Sequence, residues 1–248
     1  MIAFADFGKG EPIVFIHGLG QFGKGWDGQH ELANDFRLVI PDLRGHGYTK
    51  MKSNISLRTF ASDIIDLLDI LNIEKAHICG LSLGGIVSQE IYRLYPERVK
   101  SLVICNSISY FPYWIGMYEL RRREHMVDSV SEEEYKNGAV QRCIFQNNKE
   151  LQDITRHTFI LRPEEYKRSV RAVIGMNYLT MLPLVKVPTL IFGSVQDRVT
   201  PYINQVMQHQ LIRHSKLVTF NQTGHASNIE RKEEFNLELV RFLERMNV

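Results

Sequence analysis

The sequence predicts an α/β protein: a mostly parallel sheet flanked by helices, with one inserted helical cap. Two observations carry that expectation. Short apolar, β-branched runs alternate with longer segments of helical periodicity, the pattern of repeated βα units. The alternation then lapses between about Ser109 and Leu184, where helical patterns continue without a convincing strand.

The strands are read from the runs IVFI (13–16), RLVI (37–40), AHICG (76–80), SLVIC (101–105), TLIFG (189–193) and KLVTF (216–220). Their near-continuous apolar character marks strands buried on both faces. IAFADF near the start adds an edge strand. Between Ser56 and Asn72 the residues Leu57, Phe60, Ile64, Leu67, Leu68 and Leu71 keep helical spacing, with Ser56 as N-cap. A second helix begins just after Ser82 and stops near Tyr95, before Pro96, because a proline disfavours helical backbone in the residue ahead of it. In the insertion, Ser131 and Glu134 form a capping box, and Pro163 stands at a tolerated first-turn position. The expected organisation is one core, 1–108 with 185–248, carrying a cap at 109–184.

Thirty Lys and Arg against 28 Asp and Glu leave a formal charge of +2, which gives no general attraction for nucleic acid or an anionic membrane. A small-molecule partner is therefore expected. The basic run Arg121, Arg122 and Arg123 reads as a solvated helix face. Cys79, Cys105 and Cys143 are odd in number and scattered, unlike a disulfide framework, so a reducing compartment is expected. With no charged leader ahead of an apolar stretch, the protein is read as cytoplasmic and untethered.

The chemistry centres on Gly80-Leu81-Ser82-Leu83-Gly84-Gly85, which fits G-x-S-x-G where an apolar strand passes into a helix. Such a turn holds the serine in a strained conformation with its hydroxyl projecting, and glycines remove side chains that would collide. The same letters can describe a glycine-rich packing turn or a phosphate loop. The lysine of a phosphate loop is missing, however, and the glycines do not follow G-x-G-x-x-G.

A serine hydroxyl needs a base in reach and a carboxylate behind that base, and in this arrangement they follow it in the order acid, then histidine. Asp197 lies in the loop after TLIFG and His225 in the loop after KLVTF, both at carboxyl ends of strands, where open α/β sheets bind ligands. Of nine histidines only His225 follows the last strand. The other acid position, after SLVIC, holds Asn106, which cannot supply charge. Backbone amides would stabilise a developing oxyanion; the candidates are Leu83, next to the serine, and Leu19 in the His17-Gly18-Leu19-Gly20 loop.

Taken together, HGLG with Trp26 downstream, Asp42-Leu43-Arg44-Gly45-His46-Gly47, GLSLGG, Gly193 through Asp197 with Pro201, and Gly224-His225 resemble the α/β-hydrolase superfamily. The resemblance is to its small serine esterases, enol-lactonases and cofactor-free haloperoxidases, and spans Ile13 to about Glu230. It implies the α/β-hydrolase fold with a helical cap, the Ser82, Asp197 and His225 triad, and the Leu19 and Leu83 amides. In that family Arg44 and His46 support loop structure. Tyr48, Thr49 and Lys50 depart from the family's usual residues after this motif and bear on pocket shape. A serine at position 82 sets the chain apart from the epoxide-hydrolase and haloalkane-dehalogenase branches, which require Asp there.

The expected activity is hydrolysis of small carboxylic esters or lactones through an acyl-enzyme, with no metal or organic cofactor. Two other readings stay open: a ligand-binding signalling protein with slow turnover, and carbon–carbon hydrolysis or acyl transfer. Phe111, Tyr113, Trp114 and Tyr118 cluster where the insertion begins. Either they pack the cap interior or they roof a mostly apolar pocket selective for short and medium acyl chains.

Overall fold

The computed structural model describes residues 1–50 and 54–245. The stretches 51–53 and 246–248 of the expected core lie outside the described residues. Seven strands form one sheet in the order β1-β3-β2-β4-β5-β6-β7. They are β1 Phe4–Gly8, β2 Glu11–Ile16, β3 Phe36–Pro41, β4 Ala76–Leu81, β5 Val99–Cys105, β6 Thr189–Ser194 and β7 Ser215–Phe220. Only β1 runs antiparallel, paired to β3 at the sheet edge; the other neighbours are parallel.

The period of two in each strand divides the core into two layers. Val14, Ile16, Ile78, Leu102, Ile104 and Ile191 point to the layer packed by α1 (Leu57–Ile70) and α2 (Leu83–Leu94), through Phe60, Ile64, Leu68, Val87 and Ile91. Their alternates Ile13, Phe15, Cys79, Leu81, Val103, Cys105, Leu190 and Phe192 face the opposite layer. There they meet Trp26 and the helix α9 (Lys232–Glu244), which contributes Phe235, Leu239 and Leu243. Trp26 sits in a 3-10 segment, Gly23–Asn34, for which the sequence carries no clear periodic signal. Side chains of this size, each wholly out of water, contribute roughly 1.5–3 kcal/mol apiece.

Local chemistry sets the boundaries. Ser56 Oγ accepts from the Thr59 amide at 3.1 Å while Thr59 Oγ1 accepts from the Ser56 amide at 2.9 Å, a reciprocal cap for α1. Tyr95 ends α2 immediately before Pro96. Between β5 and β6 lie α3 (Tyr113–Ser129), α4 (Glu132–Cys143), α5 (Lys149–Arg156) and α6 (Pro163–Val173). Ser131 and Glu134 cap α4, and Pro163 opens α6. These helices have an apolar centre of their own, with Leu120, Tyr135, Val140, Phe159 and Val170. After β6 come α7 (Ile203–Leu211) and, after β7, the single turn α8 (Ser227–Glu230). No helix among the described residues is long and apolar enough to cross a membrane.

Three histidines are built into this core as neutral groups. The Leu43 amide donates to His17 Nε2 at 3.0 Å, so the ring proton sits on Nδ1 and donates to the Gly18 carbonyl at 2.8 Å. Burial pushes His17 down to about 4. Burial, aided by neighbouring His17, pushes His46 down to about 3. His77, on β4, is pushed down to about 4 by burial and then by Lys100. As pH falls below about 6.5 the unfolded chain takes up protons that the folded chain refuses, so stability is full above that value and declines towards pH 4 and below. Urea midpoints measured from pH 7.5 to 4.5 should therefore fall, by the equivalent of a few kcal/mol. A flat profile would mean that these imidazoles are accessible to protons.

Candidate active site

The loops at the carboxyl ends of β2, β4, β5, β6 and β7 meet on one edge of the sheet. Ser82 follows β4 and is the N-cap of α2, with φ 55° and ψ −113°. Its backbone is therefore in a region that non-glycine residues occupy at a cost of about 1–3 kcal/mol. The turn is held from both sides: the Ser82 amide donates to the Cys105 carbonyl at 2.9 Å, and Ser107 Oγ donates to the Ser82 carbonyl at 2.7 Å. A Cβ at Gly80 would overlap the Gly84 carbonyl, and one at Gly84 would overlap the Ile16 carbonyl. Those glycines let α2 start hard against the end of β2.

Asp197, after β6, and His225, after β7, are joined by a 2.8 Å hydrogen bond from Nδ1 to Oδ2. Both are buried. The carboxylate collects further donors: Thr200 Oγ1 at 2.8 Å and Asn106 Nδ2 at 3.0 Å on Oδ2, and the amides of Val199 at 2.7 Å and Thr200 at 2.9 Å on Oδ1. Burial works against its charge, but His225 and these donors outweigh burial and hold Asp197 below the usual carboxylate range. With Nδ1 directed at Asp197, the other ring nitrogen, Nε2, is left for proton transfer. Among the described residues no hydrogen bond joins Ser82 Oγ to His225. Such contacts are often long without substrate and tighten when it binds.

Ser82, Leu19 and Leu83 line one cavity of about 550 Å³. Leu83 is the first residue of α2, so its amide has no partner within the helix. Leu19 sits in the loop after β2, which is pinned to the helical segment: Gln21 Oε1 accepts from the Gly18 amide at 3.1 Å, Gln21 Nε2 donates to Thr158 Oγ1 at 3.1 Å, and the Ile160 amide donates to the Gly20 carbonyl at 3.0 Å. Asp42 and His46 lie elsewhere. Asp42 accepts from the Gly23 and Tyr48 amides at 2.7 and 2.8 Å and shapes its own loop.

The aromatic cluster and the number of charged groups in the cavity differ from expectation. Phe111 lines the cavity, but Tyr113, Trp114 and Tyr118 do not; they are 67%, 74% and 67% exposed. Helical geometry accounts for part of this: α3 turns Ile115, Glu119, Arg122 and Arg123 inward, which turns Trp114 away from that stripe and leaves Tyr118 on its outer flank. The wall is apolar over most of its area, as expected, but it also holds several charged groups. It carries Glu119, Arg122, Arg123, Arg142 and Arg198 beside Ile86, Phe111, Val170 and Val199. Arg122 and Arg123 are thus part of the cavity and not merely a solvated face. Arg123 donates to Tyr166 Oη at 2.5 Å, and both arginines hold Glu119.

Two supporting residues escape sequence reasoning. Asn106, wholly buried with φ 42°, donates to Asp197 and to Ser194 Oγ at 3.0 Å each and accepts from Ser227 Oγ at 2.6 Å, linking three loops. Glu230 accepts from the amides of Gly224 at 2.6 Å, Gln146 at 3.0 Å and Phe145 at 3.1 Å, tying the His225 loop to the segment after α4. Burial raises Glu230 above the usual carboxylate range, although these amides oppose the shift. The only hint of either residue in the sequence is its position, a polar side chain just beyond a strand end or a histidine loop.

A parallel sheet with a serine elbow and a buried Asp–His pair at its carboxyl edge defines a hydrolase of the α/β type. The chain has the α/β-hydrolase fold. A family profile described as "alpha/beta hydrolase fold" matches residues 11–123, and one described as "TAP-like protein" matches residues 177–247. The 3-oxoadipate enol-lactonase 1 of Acinetobacter baylyi is 28% identical over 227 residues, covering 90% of this chain and 85% of the lactonase. A hydrolase from Pseudomonas aeruginosa superposes with a TM-score of 0.89 at 25% identity, covering 98% of this chain and 94% of the other. A thermophilic esterase from Thermogutta terrifontis gives 0.91 at 24% identity, covering 100% and 94%.

Replacing Asn106 by Ala should lower stability by roughly 1–3 kcal/mol, because Ser194 and Ser227 lose a buried partner and Asp197 loses a donor. Denaturant midpoints check this. An unchanged midpoint would mean that Thr200 and the two amides hold Asp197 unaided.

Proposed function

We propose that the protein hydrolyses small carboxylic esters or lactones by a serine-dependent acyl-enzyme route. The observation that carries this reading is the strained Ser82, open to the cavity and linked through Ser107, Asn106 and Asp197 to a buried His225. The likeness to an enol-lactonase over most of both chains supports the same chemistry.

In this mechanism Ser82 Oγ attacks the carbonyl carbon as His225 Nε2 takes its proton, and Asp197 steadies the imidazolium. The Leu19 and Leu83 amides receive the oxygen as it gains charge. When the carbon–oxygen bond breaks, His225 returns the proton to the leaving alkoxide. Water then attacks the acyl-enzyme with His225 again as base, and Ser82 regains its proton as the acid departs. The helices α3–α6 act as a cap, since Ile115, Glu119, Arg142 and Val170 supply one side of the cavity wall. Such a cover excludes water during acylation.

Ser82→Ala should remove turnover by several orders of magnitude, leaving a small residual rate from the oxyanion amides. Its circular dichroism and melting temperature should stay close to the parent, because among the described residues the hydroxyl has no hydrogen-bond partner to lose. A variant that keeps most activity would rule out Ser82 as nucleophile. Across p-nitrophenyl esters from acetate to palmitate, kcat/KM should peak at short or medium chains. A long alkyl chain would take charged groups of the cavity wall, Arg142 and Arg198 among them, out of water with no partner of its own to offer. A maximum at palmitate would show instead that the cap opens as a lipase lid.

A further inference from the structure

The chain as a whole is nearly balanced in charge, yet the cavity around Ser82 is not. Four arginines line it against a single carboxylate, Glu119. Arg122 and Arg123 share that carboxylate, with Arg122 Nη2 at 2.7 Å and Arg123 Nε at 3.3 Å. Arg142 and Arg198 have no carboxylate or other hydrogen-bond partner among the described residues. Elsewhere, by contrast, Arg37, Arg44, Arg93, Arg98 and Arg241 each hold an acidic side chain.

The two unpaired groups come from separate elements that meet beside the proposed catalytic residues. Arg142 is in the last turn of α4, near enough to Tyr135 and Cys143 to favour their ionised forms against the burial that opposes ionisation. Tyr135 packs against Gly20 in the Leu19 loop, and the Cys143 carbonyl accepts the Ala226 amide at 3.1 Å, next to His225. Arg198 directly follows Asp197. A concave site walled by one sign of charge concentrates the opposite sign, and a guanidinium matches a carboxylate geometrically.

We propose that Arg142 and Arg198 form an anion subsite, and that the substrate is an ester or lactone carrying a second, ionised carboxylate. This rests on the ester and lactone reading above and narrows it. The carboxylate docks on the free guanidinium groups while the reacting carbonyl reaches Ser82. Glu119 keeps Arg122 and Arg123 occupied, which confines the anion to the Arg142 and Arg198 side.

Two matched pairs test the subsite: p-nitrophenyl hemiglutarate against p-nitrophenyl valerate, and 4-acetoxybenzoate against 4-methylphenyl acetate, which place the charge on the acyl and the alcohol side. In at least one pair kcat/KM should favour the anion tenfold or more, and Arg142→Met with Arg198→Met should reduce that ratio at least tenfold, about 1.4 kcal/mol. Arg198→Met alone, at an exposed position, should move it the same way, whereas Arg213→Gln, away from the cavity, should not. A second readout needs no turnover: calorimetry on Ser82→Ala protein should show monoethyl glutarate binding more tightly than ethyl valerate, with the difference lost in the arginine variants. Ser82-dependent hydrolysis without anion preference in either pair would overturn the subsite and leave the esterase reading standing. Arginine-dependent binding without turnover of any of the four esters would do the reverse.

Discussion

The strand-to-helix turn at Ser82 is the constraint on which the rest of the site depends. A residue with φ 55° persists only where its surroundings over-determine it. Here the Cys105 carbonyl takes its amide, Ser107 takes its carbonyl, and two glycines let α2 start against β2. Each of these contacts comes from a neighbouring parallel strand or the loop after it. The elbow therefore exists only if β2, β4 and β5 are in register, which couples the stability of the sheet to the aim of the hydroxyl.

Asp197 and His225 are held by a different device. Asp197 gathers donors from its own turn, from Asn106 after β5 and from His225 after β7. A buried carboxylate is costly unless its lone pairs are filled, and hydrogen bonds to a charged group contribute roughly 1.5–3 kcal/mol each. The same bonds that make the charge tolerable also fix which nitrogen of His225 faces Asp197. Glu230 plays a comparable part for the other side of the loop, gripping Gly224 and the amides after α4. The segment between β5 and β6 is thus joined to the sheet edge near Leu19 through Thr158 and near His225 through Glu230, as well as through Arg162 to the Gly47 carbonyl.

Charge is distributed unevenly between core and cavity. Inside the core, His17, His46 and His77 are kept neutral, whereas the cavity wall keeps four guanidinium groups beside partly exposed surface. Arginine stays charged and is weakly hydrated, so it tolerates a half-buried wall that would neutralise a histidine.

Much of this was legible in the sequence for a definite physical reason. Parallel strands buried on both faces have to be apolar runs, crossover helices have to repeat every 3.6 residues, and an elbow needs small residues on both sides of its serine. Those requirements are local, and they place the six core strands, α1, α2 and the loops bearing Ser82, Asp197 and His225. The aromatic run at the start of α3 was misjudged because composition cannot say which side of a helix faces a cavity; only the packing of α3 on α6 turned Ile115, Glu119 and Arg122 inward and left Trp114 and Tyr118 in water. The supporting roles of Asn106, Glu230, Gln21 and Arg142 were likewise invisible. Apart from the local contacts to Gly18 and Gly224, their partners lie between 84 and 137 residues away or, for Arg142, are absent among the described residues, and hydrogen bonds across such separations are set by the tertiary fold, not by any spacing along the chain.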